Sequence, residues 1–111
     1  MLQQAAGPVT SVGDEGSIPS SYSLSQNYPN PFNPTTQIKF GIPQDSRVTL
    51  KVYDVLGREI RTLMSDDLRA GYHTIEWDGM NNFGGKVSSG IYIYRLVAGK
   101  FVKTLKMMML K

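Results

Sequence analysis

The stretch Arg47-Val48-Thr49-Leu50-Lys51-Val52-Tyr53-Asp54-Val55-Leu56-Gly57-Arg58 decides the class of fold. Val48, Leu50 and Val52 alternate with Arg47, Thr49, Lys51 and Tyr53. That period of two turns one side of a strand to a core and the other to water. Asp54 and Gly57 then hold the first and fourth places of a type I turn, where an Asp side chain closes the turn and Gly eases the exit. Arg58 to Met64 reads as the returning strand of a hairpin, and Ser65 to Ala70 as a polar connection.

The same period continues on both sides. Upstream, Ile38, Phe40 and Ile42 alternate with Gln37, Lys39 and Gly41 until Pro43 ends the strand. A short edge strand is predicted around Tyr22 and Leu24. Downstream, Gly71 opens a strand with His73, Ile75 and Trp77 on one face and Tyr72, Thr74 and Glu76 on the other. Asp78 to Gly85 is rich in turn formers, and Ser88-Ser89-Gly90 leads into Ile91 to Ala98, apolar on both faces apart from Arg95. Gly99-Lys100 is a tight hairpin turn, and Phe101 to Leu110 is the final strand. With no helix of ordinary length and no internal repeat, the prediction is an all-β, immunoglobulin-like antiparallel β-sandwich of about seven strands.

Composition divides the chain. The first 34 residues carry Asp14 and Glu15 and no Lys or Arg, a charge of −2, whereas the remainder holds all 12 basic residues and 7 acidic ones, a charge of +5. Residues 1–17, punctuated by Gly7-Pro8, Gly13 and Gly16, read as a flexible linker from a preceding passenger domain, and 18–111 as the sandwich. Met1-Leu2-Gln3-Gln4 lacks the basic region and apolar run of a signal peptide, so a secreted reading makes this chain part of a longer protein. The basic residues are dispersed and accompany no groove-reading motif, which argues against nucleic acid. No stretch approaches the roughly 20 apolar residues of a transmembrane segment.

Little in the chain suggests catalysis. It has no cysteine, which excludes disulfides and thiol chemistry, and one histidine, His73, which reads as a core-edge residue. Asp54, Glu59, Glu76 and Asp78 form no marked carboxylate pair, and no glycine-rich phosphate loop precedes a helix. The chain is therefore expected to be non-enzymatic and to need no cofactor. Asp78, Asn81 and Asn82 offer side-chain oxygens at the short spacing of calcium loops, but without a closing bidentate Glu; turn closure is the simpler reading. Tyr28, Phe32, Tyr53, Trp77, Tyr92 and Tyr94 are candidates for a carbohydrate-stacking platform, although their places in alternating strands favour packing.

Two segments stand apart. Tyr28-Pro29-Asn30-Pro31-Phe32-Asn33-Pro34 is rigid and refuses a helix, with Tyr28 and Phe32 expected to plug it onto the sandwich. In Lys103-Thr104-Leu105-Lys106-Met107-Met108-Met109-Leu110-Lys111 four apolar residues run between lysines. That pattern fits either a buried strand or a lysine-guarded edge that a partner reads by strand addition.

In order along the chain, Tyr28-Pro29-Asn30-Pro31-Phe32-Asn33-Pro34, the Asp54 to Gly57 turn, Trp77-Asp78-Gly79, Ser89-Gly90-Ile91-Tyr92 and the Lys-Met-rich end resemble the type A C-terminal sorting domains of the type IX secretion system. Those domains are in turn similar to the immunoglobulin-like domain of the flagellar hook-capping protein. The resemblance covers Ile18 to Lys111 and implies a domain that directs a larger protein, an N-terminal passenger in cis, across the bacterial outer membrane to the surface or medium. Its implied partners are the outer-membrane secretion machinery and a sorting peptidase that removes the domain. Carried over, recognition falls on Lys103, Lys106, Met107, Met108, Met109, Leu110 and Lys111. The alternative is an immunoglobulin-like structural module, a hook-cap-like scaffold or surface-protein spacer, which stays in the mature protein.

Overall fold

The computed structural model describes residues 17–111; the linker expected over 1–17 lies, but for Ser17, outside the described residues. Seven strands follow one another: β1 (Ser23–Leu24), β2 (Thr36–Ile42), β3 (Ser46–Tyr53), β4 (Glu59–Leu68), β5 (Gly71–Trp77), β6 (Gly90–Ala98) and β7 (Phe101–Met109). They form two antiparallel sheets, one ordered β1-β2-β5 and the other β4-β3-β6-β7. The all-β sandwich is as the alternation predicts.

The core is what the period of two places between the sheets. Ile38, Phe40 and Ile42 of β2 face Val48, Leu50 and Val52 of β3 and Tyr92, Tyr94 and Leu96 of β6, all of them buried. Ile91, Ile93 and Val97, on the other face of β6, are half-buried. β6 is an interior strand between β3 and β7, so flanking side chains shield both of its faces.

Two expectations need correction. The return strand does not end at Met64: β4 runs to Leu68, with Ser65, Asp66 and Asp67 opposite Thr49, Val48 and Arg47. β4 is an edge strand, so its polar side chains reach water while its main chain pairs, and polarity there does not mark a loop. Only Arg69 and Ala70 connect β4 to β5. Nor is Tyr28 a plug. It is 80% exposed, whereas Phe32 is 1% exposed and alone anchors the proline-rich segment in the core.

Strand register places the ends of the sandwich. Thr36 lies opposite Trp77, Tyr53 opposite Ile93 and Gly90 opposite Met109, which gathers these residues at one pole. Ile42 opposite Gly71, Ser46 opposite Leu68 and Ala98 opposite Phe101 mark the other. Pro19, near the start of the described chain, lies against Gly41, so the polypeptide enters at this second pole. The first pole is roughly 20 Å away along β2 and is called distal below.

Candidate functional site

The five segments that are scattered through the sequence meet at the distal pole. The Asp54 turn closes there by sequence-local bonds. The Gly57 N–H donates to the Asp54 carbonyl at 3.0 Å, and Asp54 Oδ1 accepts from the N–H groups of Leu56 and Arg58 at 2.9 and 3.0 Å. Gly57 has φ +85°, a conformation that side chains with a Cβ rarely adopt. The Arg58 N–H first, then its guanidinium and the Leu56 N–H, hold the Asp54 carboxyl below the usual carboxylate range.

Trp77 is fully buried between Phe32 and Tyr92, with ring centroids 5.5 Å away in each case, and its Nε1–H donates to the Met80 carbonyl at 2.9 Å. Gly79, at φ +78°, is compelled to be glycine: a Cβ there would stand 2.7 Å from Met109 Cε and 3.0 Å from the Pro34 carbonyl oxygen. That close approach ties the loop after β5 to both the proline-rich segment and the end of β7. Gly90 opens β6 opposite Met109.

The proline-rich segment, whose X–Pro peptides at Pro29, Pro31 and Pro34 are cis, is bound to β7 through the main chain. The Phe32 N–H donates to the Met108 carbonyl, and the Leu110 N–H donates to the Phe32 carbonyl, both at 3.0 Å. Asn30 Oδ1 accepts from the Met108 N–H at 3.0 Å, and Gln26 Nε2 donates to the Lys106 carbonyl at 2.7 Å. β7 is an edge strand, yet its outer main chain at Met108 and Leu110 is already engaged. Among the described residues no hydrogen bond extends the sheet beyond Val102 and Thr104, so the open part of this edge lies nearer the Gly99-Lys100 turn.

Side chains along the C-terminal strand alternate. Met107 and Met109 are 1% and 3% exposed and belong to the core, whereas Met108 and Leu110 are 38% and 50% exposed. Lys103, Lys106 and Lys111 are exposed as well. The residues a partner can touch without unfolding the domain are thus Lys103, Lys106, Met108, Leu110 and Lys111. Of the proline-rich motif, Tyr28, Pro29, Asn30 and Pro31 are exposed.

The calcium-like oxygens are used for turn closure. Asp78 Oδ1 accepts from the Met80 N–H and from Arg61 Nη1, Asn81 Oδ1 from the Phe83 and Gly85 N–H groups, and Asn82 Oδ1 from the Thr62 N–H. No group of three or more His, Asp or Glu residues suited to a metal ion occurs among the described residues. His73 stacks on Phe40, and its Nε2 lies 2.9 Å from the Arg69 carbonyl. The aromatic platform does not form: Phe32, Trp77, Tyr92 and Tyr94 are buried and Tyr53 is half-buried, which leaves Tyr28 as the fully exposed member.

Sequence reasoning missed a buried polar node beneath the pole. Asn27 is 2% exposed; its N–H donates to the Tyr94 hydroxyl at 2.8 Å, and its Nδ2 donates to Thr36 Oγ1 and to the Pro29 carbonyl. Thr36 Oγ1 in turn donates to the Pro29 carbonyl at 2.8 Å. An Asn directly before Tyr-Pro is the one signal available. Asn27→Ala removes the donor to the buried Thr36 Oγ1 and one of the two donors to the Pro29 carbonyl, and is expected to cost about 1–3 kcal/mol in urea unfolding.

Tyr94 also donates to the Ser25 carbonyl at 2.8 Å, and its burial pushes the phenol up to about 12. Its folded value lies above the ordinary 10.0, so its contribution to stability is complete below pH 10 and disappears as pH rises through about 12. Tyr94→Phe should therefore flatten the alkaline fall of the melting temperature in that window. An unchanged slope would show that Tyr94 is not its source.

The fold and pole define an immunoglobulin-like sandwich module whose motif residues bind its own loops together. The model of the FlgD Ig-like domain matches residues 26–101, and the chain belongs to that family. It is 32% identical over 99 residues to the basal-body rod modification protein FlgD of Salmonella typhimurium, a match covering 86% of this chain and 42% of that protein. The chain thus spans about two fifths of the curated relatives it matches. Among solved structures, dimeric latent PorU from Porphyromonas gingivalis aligns with a TM-score of 0.64 at 19% identity, over 85% of this chain and 10% of that one. PorZ, described as an essential surface component of the type-IX secretion system of the same organism, aligns with a TM-score of 0.51 at 19% identity, over 81% and 11%. At these identities the two structures share the fold with this chain.

Proposed function

We propose that this domain is a non-enzymatic structural interaction module of the FlgD Ig-like kind. It is carried by a longer protein, offers the outer side of β7 to a partner protein and leaves its distal pole open for docking. The observation that carries this reading is the convergence of the five motif segments at the pole farthest from where the chain enters. A module joined to its neighbour at one pole leaves the other accessible. The bonds between Phe32 and β7, and the close fit of Gly79 against Met109, make that pole a rigid surface. The family match supports a scaffold-type role, because FlgD, the curated relative, is a basal-body rod modification protein.

A second reading, a sorting signal that outer-membrane secretion machinery recognises and a sorting peptidase removes, is favoured by the motif series and by the alternation on β7 that exposes Lys106, Met108 and Leu110. Cell-surface or secreted placement goes with either reading. The two separate in the full-length protein carrying Lys106→Ser, Met108→Ser and Leu110→Ser together, which alters exposed side chains and spares Met107 and Met109. The module reading predicts normal delivery of the protein with loss of its assembly. Retention of the passenger in the periplasm would overturn that reading in favour of sorting.

A further inference from the structure

Eight large hydrophobic side chains are exposed among the described residues, and six of them are at the distal pole: Tyr28, Val55, Leu56, Phe83, Met108 and Leu110. Val55, Leu56 and Phe83 are 64%, 74% and 96% exposed, and all three sit inside turns, where polar residues are the rule. These turns are not loose. Asp54 fixes Val55-Leu56, and Asn81 fixes Phe83 by accepting from its N–H and that of Gly85, each at 2.9 Å. Asn82 then fastens the second turn to β4: its N–H donates to the Ile60 carbonyl, and its Oδ1 accepts from the Thr62 N–H, both at 2.9 Å. A cleft of about 370 Å³ beside the Asp54 turn, lined by Val55, Leu56, Ile60 and Tyr92, reaches Asn81 at the foot of the second turn.

The charge at this pole has one sign left over. Three of its carboxylates are met by a cation, Asp54 by Arg58 at 2.7 Å, Glu59 by Lys51 at 3.1 Å and Asp78 by Arg61 at 3.3 Å, which leaves exposed Glu76 beside Trp77 against three lysines. Thr62 first, then Lys51 and Asn82, hold Glu59 below the usual carboxylate range. Lys86, Lys106 and Lys111 make no ion pair among the described residues. From Gly79 to Lys111 the sequence has no acidic residue.

We infer that the distal pole docks on an anionic lipid bilayer, with Val55, Leu56 and Phe83 entering the headgroup boundary and the surplus lysines meeting the phosphates. A second copy of this chain is a poor occupant, because it would bring the same excess of lysine against itself. A protein face fits less well than a bilayer. The apolar side chains project from two separate turns, and the surplus cations of the pole are lysines, a residue depleted from protein interfaces, whereas at a membrane surface lysine stems snorkel beside inserted apolar groups. Each lysine near an anionic surface is expected to strengthen binding about fivefold. The association is thus reversible and salt-sensitive. The inference goes beyond the module reading and does not depend on which protein β7 contacts.

The test is co-sedimentation of the 111-residue chain with phosphatidylcholine vesicles, with and without phosphatidylglycerol. The expected result is binding to the anionic vesicles alone, weakened about tenfold or more by high salt. The double variant Leu56→Ser/Phe83→Ser should bind at least about tenfold more weakly, with an unchanged melting curve because both side chains stand in water. Absence of binding to anionic vesicles, as expected if the pole takes an acidic protein instead, would overturn the inference. Equal binding to neutral vesicles, or undiminished binding by the double variant, would do so as well.

Discussion

Removal of residues 106–111 is expected to unfold the domain rather than merely to erase a recognition signal. Met107 and Met109 are core residues, and truncating a buried methionine costs about 2–5 kcal/mol. Losing both therefore removes at least about 4 kcal/mol, against a total stability of roughly 5–15 kcal/mol for a domain. The loss extends further, since Phe32 gives up its main-chain partners at Met108 and Leu110 and the proline-rich segment is freed from the sheet. Urea unfolding followed by tryptophan fluorescence should show a lost or strongly shifted transition. The matched variant Lys106→Ser/Met108→Ser/Leu110→Ser should stay within about 1.5 kcal/mol of the parent, because its side chains are exposed. Parent-like stability of the truncated chain would contradict the placement of Met107 and Met109. A localisation defect caused by deleting the terminus thus carries no information about recognition until folding has been checked.

Trp77→Ala should cost about 3–5 kcal/mol and expose the same pole from within. The indole fills the space between Phe32 and Tyr92, so its loss leaves a cavity bounded by two aromatic rings, one held on β6 and the other by the Phe32 main-chain bonds to β7. Trp77→Phe should cost less. It keeps an aromatic ring in place, and the Met80 carbonyl that loses the indole N–H still accepts from Arg61 Nη1 at 3.1 Å. Equal losses for the two variants would mean that the indole bond, not the filling of space, dominates. Paired urea titrations with fitted slopes distinguish these outcomes, since a changed slope would report an altered unfolded state.

The strands were readable because each has a solvated face, and the hydrophobic period of two survives in Val48-Thr49-Leu50-Lys51-Val52 and in Ile38-Lys39-Phe40-Gly41-Ile42. β4 was cut short because an edge strand can carry Ser65, Asp66 and Asp67 without burying them. At the pole, the importance of Phe32, Trp77 and Gly79 was legible from residue type, whereas the direction in which Tyr28 points was not. Proline fixes φ but says nothing about which flanking aromatic turns inward. Met107 and Met108 are chemically alike, and register alone separates the buried one from the exposed one. Exposed Val55, Leu56 and Phe83 did leave a trace, apolar residues inside turn signals, that strand-centred reading passes over.

On the module proposal, the domain stays part of a longer protein after maturation. The most direct measurement is the mass of that protein recovered in mature form from its own cells. The expected result is a mature chain that retains residues 18–111, with peptides from β7 as abundant as those from the preceding part of the protein. A mature chain that ends ahead of Ile18, with the domain cut away, would contradict it and establish the sorting role instead.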